Sequence, residues 1–156
     1  MSNFHSLISS ANKLKLKNDY YSALKLYEQA LSLNKKNIDL MYEIGSIHRS
    51  LGDLKKARQF FFKIIKEEPA NTKSHRMLST LFDYKFENDH LNIMLKLFNS
   101  KKLNDVELID LEFALGNAYE DKQDYELSFR HIKSANDKKY DIKGSNIENL
   151  DKHFSQ

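Results

Sequence analysis

The sequence predicts an all-α chain assembled from antiparallel helix pairs, and three observations lead there. Only four glycines and one proline occur in 156 residues, too few for the many tight turns of a β-sandwich. Small and aromatic positions return with a fixed spacing: Ala11 is followed 34 residues later by Gly45, and Ala23 at the same interval by Ala57. An aspartate stands just ahead of a run of alternating small and aromatic residues at Asp19, Asp53 and Asp124, where its carboxylate can accept from the free backbone N–H groups of a helix start.

Taken in order, the first pair covers about residues 4–37. Leu7, Ser10, Ala11 and Leu14 recur three and four apart on its first helix, and Tyr20, Ala23, Tyr27 and Ala30 on its second. The second pair, about 38–71, repeats the grammar with Met41, Ile44, Gly45 and His48, then Asp53, Leu54, Ala57 and Phe61. Pro69 cannot continue a helix and closes this pair. The third, about 72–108, is degenerate: Leu78, Ser79 and Phe82 suit a first helix, but Leu91 and Leu95 fill the small sites of the second. Leu91, Met94, Leu95 and Phe98 keep helical spacing, so a displaced helix is expected. The fourth, about 109–142, returns to the pattern with Gly116, Tyr119, Asp124, Tyr125, Ser128 and Ile132. A last helix, about 145–155, carries Ile147, Leu150 and Phe154 on one side and is expected to cap the fourth pair around Phe129, Ile132 and Ala135. The small residues have one physical cause: where two helix axes cross closely there is room only for a hydrogen or a methyl.

The 34-residue period and the aligned positions in "GSIHRSLGDLKKARQFFFKII" and "GNAYEDKQDYELSFRHIKSAN" identify the chain as resembling the tetratricopeptide repeat family. That resemblance implies a right-handed superhelical array, here a single domain over residues 1–156, whose first helices line a concave groove for a peptide or partner domain. Counting along those helices places Asn12, Tyr42, Arg49, Lys73, Arg76, Tyr84, Phe113 and Asn117 in the groove. Rings give rigid contact area and cations hold carboxylates or carbonyls, a mixture suited to a peptide. The two-carboxylate clamp of chaperone-binding relatives is not expected. Asn12 and Lys73 match it, but Ile8, Glu43 and Met77 replace its Lys, Asn and Arg, and Glu43 would repel a carboxylate.

A narrower resemblance covers about residues 75–140. "HRMLSTLFDY" and "FALGNAYEDKQDYELSFRHIKSAN" are similar to the repeat region that precedes the catalytic domain in bacterial sulfotransferases containing tetratricopeptide repeats. It implies the alternative that the chain is a docking or regulatory front end, or a stand-alone relative, of such an enzyme. An apolar strand and a Gly-Thr loop in the reading frame beyond Gln156 would decide for that alternative.

Composition narrows the remaining classes. No cysteine is present, so disulfides, thiolate metal sites and a cysteine nucleophile are excluded. The six histidines never form a His-x-x-x-His pair, so no metal or other cofactor is expected, and no catalytic constellation emerges. Residues 1–78 carry a net +7 and residues 79–156 a net −4. The basic residues are mostly scattered lysines, which argues against a nucleic-acid stripe. No run reaches the roughly 20 apolar residues of a membrane span, and "MSNFHSLISS" does not read as a secretory signal. The expectation is a cytoplasmic, non-catalytic module with a protein partner and scope for a homodimer.

Overall fold

The computed structural model describes the backbone of residues 2–154 and the side chains of residues 3–144. Among the described residues the secondary structure is entirely helical: α1 (Ser2–Leu16), α2 (Tyr20–Leu33), α3 (Ile38–Ser50), α4 (Leu54–Glu67), α5 (Thr72–Ser79), α6 (Asp89–Asn99), α7 (Asp105–Asp121) and α8 (Tyr125–Phe154). None of these helices is long and apolar enough to cross a membrane. The chain divides into two compact units, residues 1–69 and 70–156.

In the first unit α1 packs on α2, α2 on α3 and α3 on α4. Its core joins Ala11, Ala23, Tyr27, Ala30, Leu40, Ile44 and Ile47, all buried. The crossing glycine behaves as its position requires. A Cβ on Gly45 would meet the Phe61 ring at 3.1 Å and Phe60 Cβ at 3.2 Å. In the second unit the crossing is tighter, since a Cβ on Gly116 would lie 2.6 Å from Ile132 Cγ1.

One turn serves three of the four pairs. Asn18, Gly52 and Gln123 all adopt left-handed backbone, with φ of 60°, 79° and 62°. Each precedes the aspartate that caps the following helix. Asp19 accepts from the Ser22 amide at 3.2 Å, Asp53 from Lys56 at 3.1 Å and Asp124 from Leu127 at 3.1 Å. The first helices of the second and third pairs are capped by asparagines instead: Asn37 accepts from Leu40 at 2.8 Å and Asn71 from Ser74 at 3.2 Å. Asn104 forms a reciprocal capping box with Glu107.

The third pair departs furthest from the pattern. α5 ends at Ser79, and a segment without regular helix leads to α6 at Asp89. α5 packs mainly against α7, α6 also packs on α7, and α5 meets α6 through His75 and His90. α7 begins at Asp105, four residues before the expected start of the fourth repeat, because Asn104 and Glu107 supply the cap there. The expected separate capping helix is corrected: residues 145–154 continue α8 without a break. No proline interrupts that stretch, and Gly144 has open space around it, so its propensity cost of about 1 kcal/mol does not stop the helix. The side chains of Ile147, Leu150 and Phe154 lie outside the described residues.

Candidate functional site

In the first unit the face shared by α1 and α3 is held by polar side chains. Lys15 Nζ of α1 lies 2.5 Å from Glu43 Oε2 of α3, and the Tyr27 hydroxyl from α2 donates to Asn12 Oδ1. Burial, and then the Glu43 carboxylate, push the Tyr27 phenol up to about 12, so it stays a neutral donor. Tyr42 is half-buried, its ring edge-on to Phe61 at 5.5 Å. Arg49 is exposed in the last turn of α3. Glu43, a repulsive charge when only the sequence is considered, is thus neutralised by Lys15.

His48 packs against α4. It is buried, stacks on Phe60 at 5.9 Å and lies 3.7 Å from Asp53. Burial, followed by the nearby Lys56 charge, lowers its pKa below the ordinary 6.5, so at neutral pH the contact with Asp53 is not an ion pair. Asp53 is itself held low, first by the Lys56 backbone hydrogen bond, which keeps the cap charged.

The second unit carries the more organised face, where α5 lies along α7. Arg76 Nη1 donates to Asp110 Oδ1 at 2.8 Å, and the same guanidinium sits 4.4 Å over the Phe113 ring. One turn further along, Asn117 Nδ2 donates to Ser79 Oγ at 2.9 Å. Lys73 is exposed one turn before Arg76. The face thus holds a cation fixed over a ring, a carboxylate beside it, an amide with acceptor capacity left, and an exposed ammonium at its edge.

Of the residues expected in the groove, Arg76, Phe113 and Asn117 are brought together on this face, with Lys73 at its edge. Asn12, Tyr42 and Arg49 belong to the first unit. Tyr84 is a correction. It is fully buried, its hydroxyl 2.6 Å from His90 Nδ1, and His90 Nε2 lies 2.9 Å from His75 Nδ1. Counting positions assumes a first helix reaching residue 84, whereas α5 stops at Ser79 and the following segment turns Tyr84 inward. Asp110 and Ser79 escape the sequence reading. The repeat period is the signal for Asp110, which stands 34 residues beyond Arg76.

Residues 16–81 match the family model described as tetratricopeptide repeat. No curated protein matches the chain. Among solved structures, MamA 41-end from Desulfovibrio magneticus RS-1 aligns with 16% identity over 99% of this chain and 93% of that one, with a TM-score of 0.68. TTC0263, a thermophilic tetratricopeptide protein of Thermus thermophilus, aligns with 16% identity over 85% of this chain and 72% of that one, at 0.58. The Sgt2 tetratricopeptide domain from Aspergillus fumigatus gives 20% identity, 87% and 83% coverage, and 0.50. Likeness at such identities is likeness of fold, and the fold is the helix-pair array of tetratricopeptide proteins.

Proposed function

We propose that the chain, proceeding from this fold, is a non-catalytic interaction module that binds a peptide or partner domain on its first-helix faces. The observation that carries the proposal is the α5–α7 face. Arg76 is held in place by Asp110 and by the Phe113 ring, so its remaining N–H donors are presented at little further entropic cost. Lys73 and Asn117 flank it and suit an extended segment with an acidic or carbonyl-rich surface. The corresponding first-unit face offers Asn12, Tyr42 and Arg49.

The test is capture of partners by the full chain, identification by mass spectrometry, and titration of the identified partner against Arg76→Ala. Affinity should fall about 10-fold, the scale of one anchoring Arg. The melting temperature should fall as well, because Asp110 loses its partner, while circular dichroism should show the helical fold retained. An Arg76→Ala chain that binds the partner with unchanged affinity overturns the assignment of this face. The sulfotransferase reading rests on the motifs of residues 75–140, and under it the same face would dock an acceptor protein.

A further inference from the structure

The outward face of α8 takes no part in the site above. Ser128 and Ala135 are buried, and Ile132 meets Gly116 of α7. Successive helix residues turn about 100°, so the side opposite this buried stripe carries Glu126, Arg130, Lys133, Asp137 and Asp141, with Phe129 and Tyr140 along its flank. Phe129 is 66% exposed and Tyr140 79%. Lys133 and Asp137 are 2.5 Å apart, as are Arg130 and Glu126, each a pair one turn apart at the surface.

Six of these seven residues, all but Glu126, which pairs with Arg130 on its own helix, follow a symmetry that a merely solvated polar surface does not need. Phe129 and Tyr140, Arg130 and Asp141, Lys133 and Asp137 stand at nearly equal distances on either side of position 135. Each couple joins ring to ring or cation to carboxylate. The basic members lie in the N-terminal half and the acidic members in the C-terminal half. A second α8 laid antiparallel across the first, with the twofold axis at position 135, therefore sets Lys133 against the other Asp137, Arg130 against the other Asp141, and Phe129 against the other Tyr140. Antiparallel twofold contacts are self-complementary in this way. Four alternating charges, two lysines and two aspartates, would surround the axis, and the aromatic residues would close both ends.

We propose that the outward face of α8 is the interface for a second copy of this chain. The contact spans little more than residues 129–141, roughly 18 Å of helix at 1.5 Å per residue, so the dimer is small and weak. The proposal is independent of the α5–α7 face and stands if that face binds nothing.

The test uses the full chain in sedimentation velocity over a concentration series into the hundreds of micromolar. The wild-type chain should pass from monomer to dimer, and added salt should shift it towards monomer. Lys133→Asp places four carboxylates around the axis, and Asp137→Lys four ammonium groups. Each variant alone should self-associate at least about 10-fold more weakly, since like charges are then juxtaposed. Mixed in equal amounts the two variants should form a heterodimer, because the two carboxylates of one chain then face the two ammonium groups of the other. Phe129→Ser, which leaves every charge in place, should also weaken the dimer, and circular dichroism should show unchanged helicity in all three. A wild-type chain that stays monomeric throughout overturns the proposal. So does a dimer that Lys133→Asp and Phe129→Ser leave intact, or a mixture that associates no better than its components.

Discussion

Gly116 has less room than the other crossing glycine, Gly45. The atom a Cβ would strike, Ile132 Cγ1, is close to its own backbone and cannot swing away as a chain terminus could. Gly116→Leu should therefore cost about 1–3 kcal/mol or more in chemical denaturation, overpacking outweighing the gain in helix propensity. An unchanged unfolding midpoint would take Gly116 out of the contact. Gln123 presents the opposite case. It holds a left-handed φ of 62° that a side chain opposes, so Gln123→Gly should stabilise the chain by a few tenths to about 1 kcal/mol. The turn at Gly52, with φ of 79°, supplies the comparison: Gly52→Ala should destabilise under the same assay. At this scale much is readable in advance. The small crossing residues and the three capping aspartates follow from the repeat alone. The capping asparagines do not stand out, although Asn37 and Asn71 obey the same 34-residue interval, because apolar spacing locates the helix starts they mark only to within a residue or two.

Between elements, one histidine joins three helices. His131 of α8 lies parallel to Tyr119 of α7 with centroids 5.7 Å apart and edge-on to Phe98 of α6 at 5.3 Å. Burial lowers its pKa below 6.5, with Glu112 opposing and Lys138 adding to the shift. His48 in the first unit is shifted in the same direction. The unfolded chain then binds more protons than the folded one below pH 6.5, so stability is full above that value and is lost as pH falls. Melting temperature should fall between pH 7 and pH 5, and His131→Phe, which keeps a ring but removes the titrating nitrogen, should flatten part of that slope. A slope identical to wild type would show that His131 is protonated to the same extent in both states. The degenerate pair is readable as degenerate, through Leu91 and Leu95 at the small sites. Its consequence is not: nothing in the spacing of His75, Tyr84 and His90 foretells that they meet in one buried cluster, since that depends on α5 ending at Ser79. The unbroken run of α8 is equally hidden, because the repeat period ends the fourth pair near residue 142 while the helix continues through Gly144.

Across the whole chain, the array of helix pairs is legible because a repeat writes the same packing problem several times. The meeting of Arg76 with Phe113 follows where the register holds, whereas the register slips before Tyr84, which is buried. The division into units at residue 69 coincides with the lone proline. The way α5 leans chiefly on α7, the helix after next, has a bearing on the order of assembly. In the first unit the main helix contacts join neighbours in the chain, whereas α5 finds its principal support about one full repeat downstream, where Asp110 meets Arg76. Contacts between distant segments form later, because a longer loop must close first, and each doubling of loop length costs about 0.6 kcal/mol, roughly threefold in rate. On refolding from denaturant, pulse-labelling hydrogen exchange should find the amides of α1 to α4 protected before those of α5. During synthesis, the first unit could be complete on the ribosome while α5, a short helix of eight residues, still waits for its principal support, α7, to emerge.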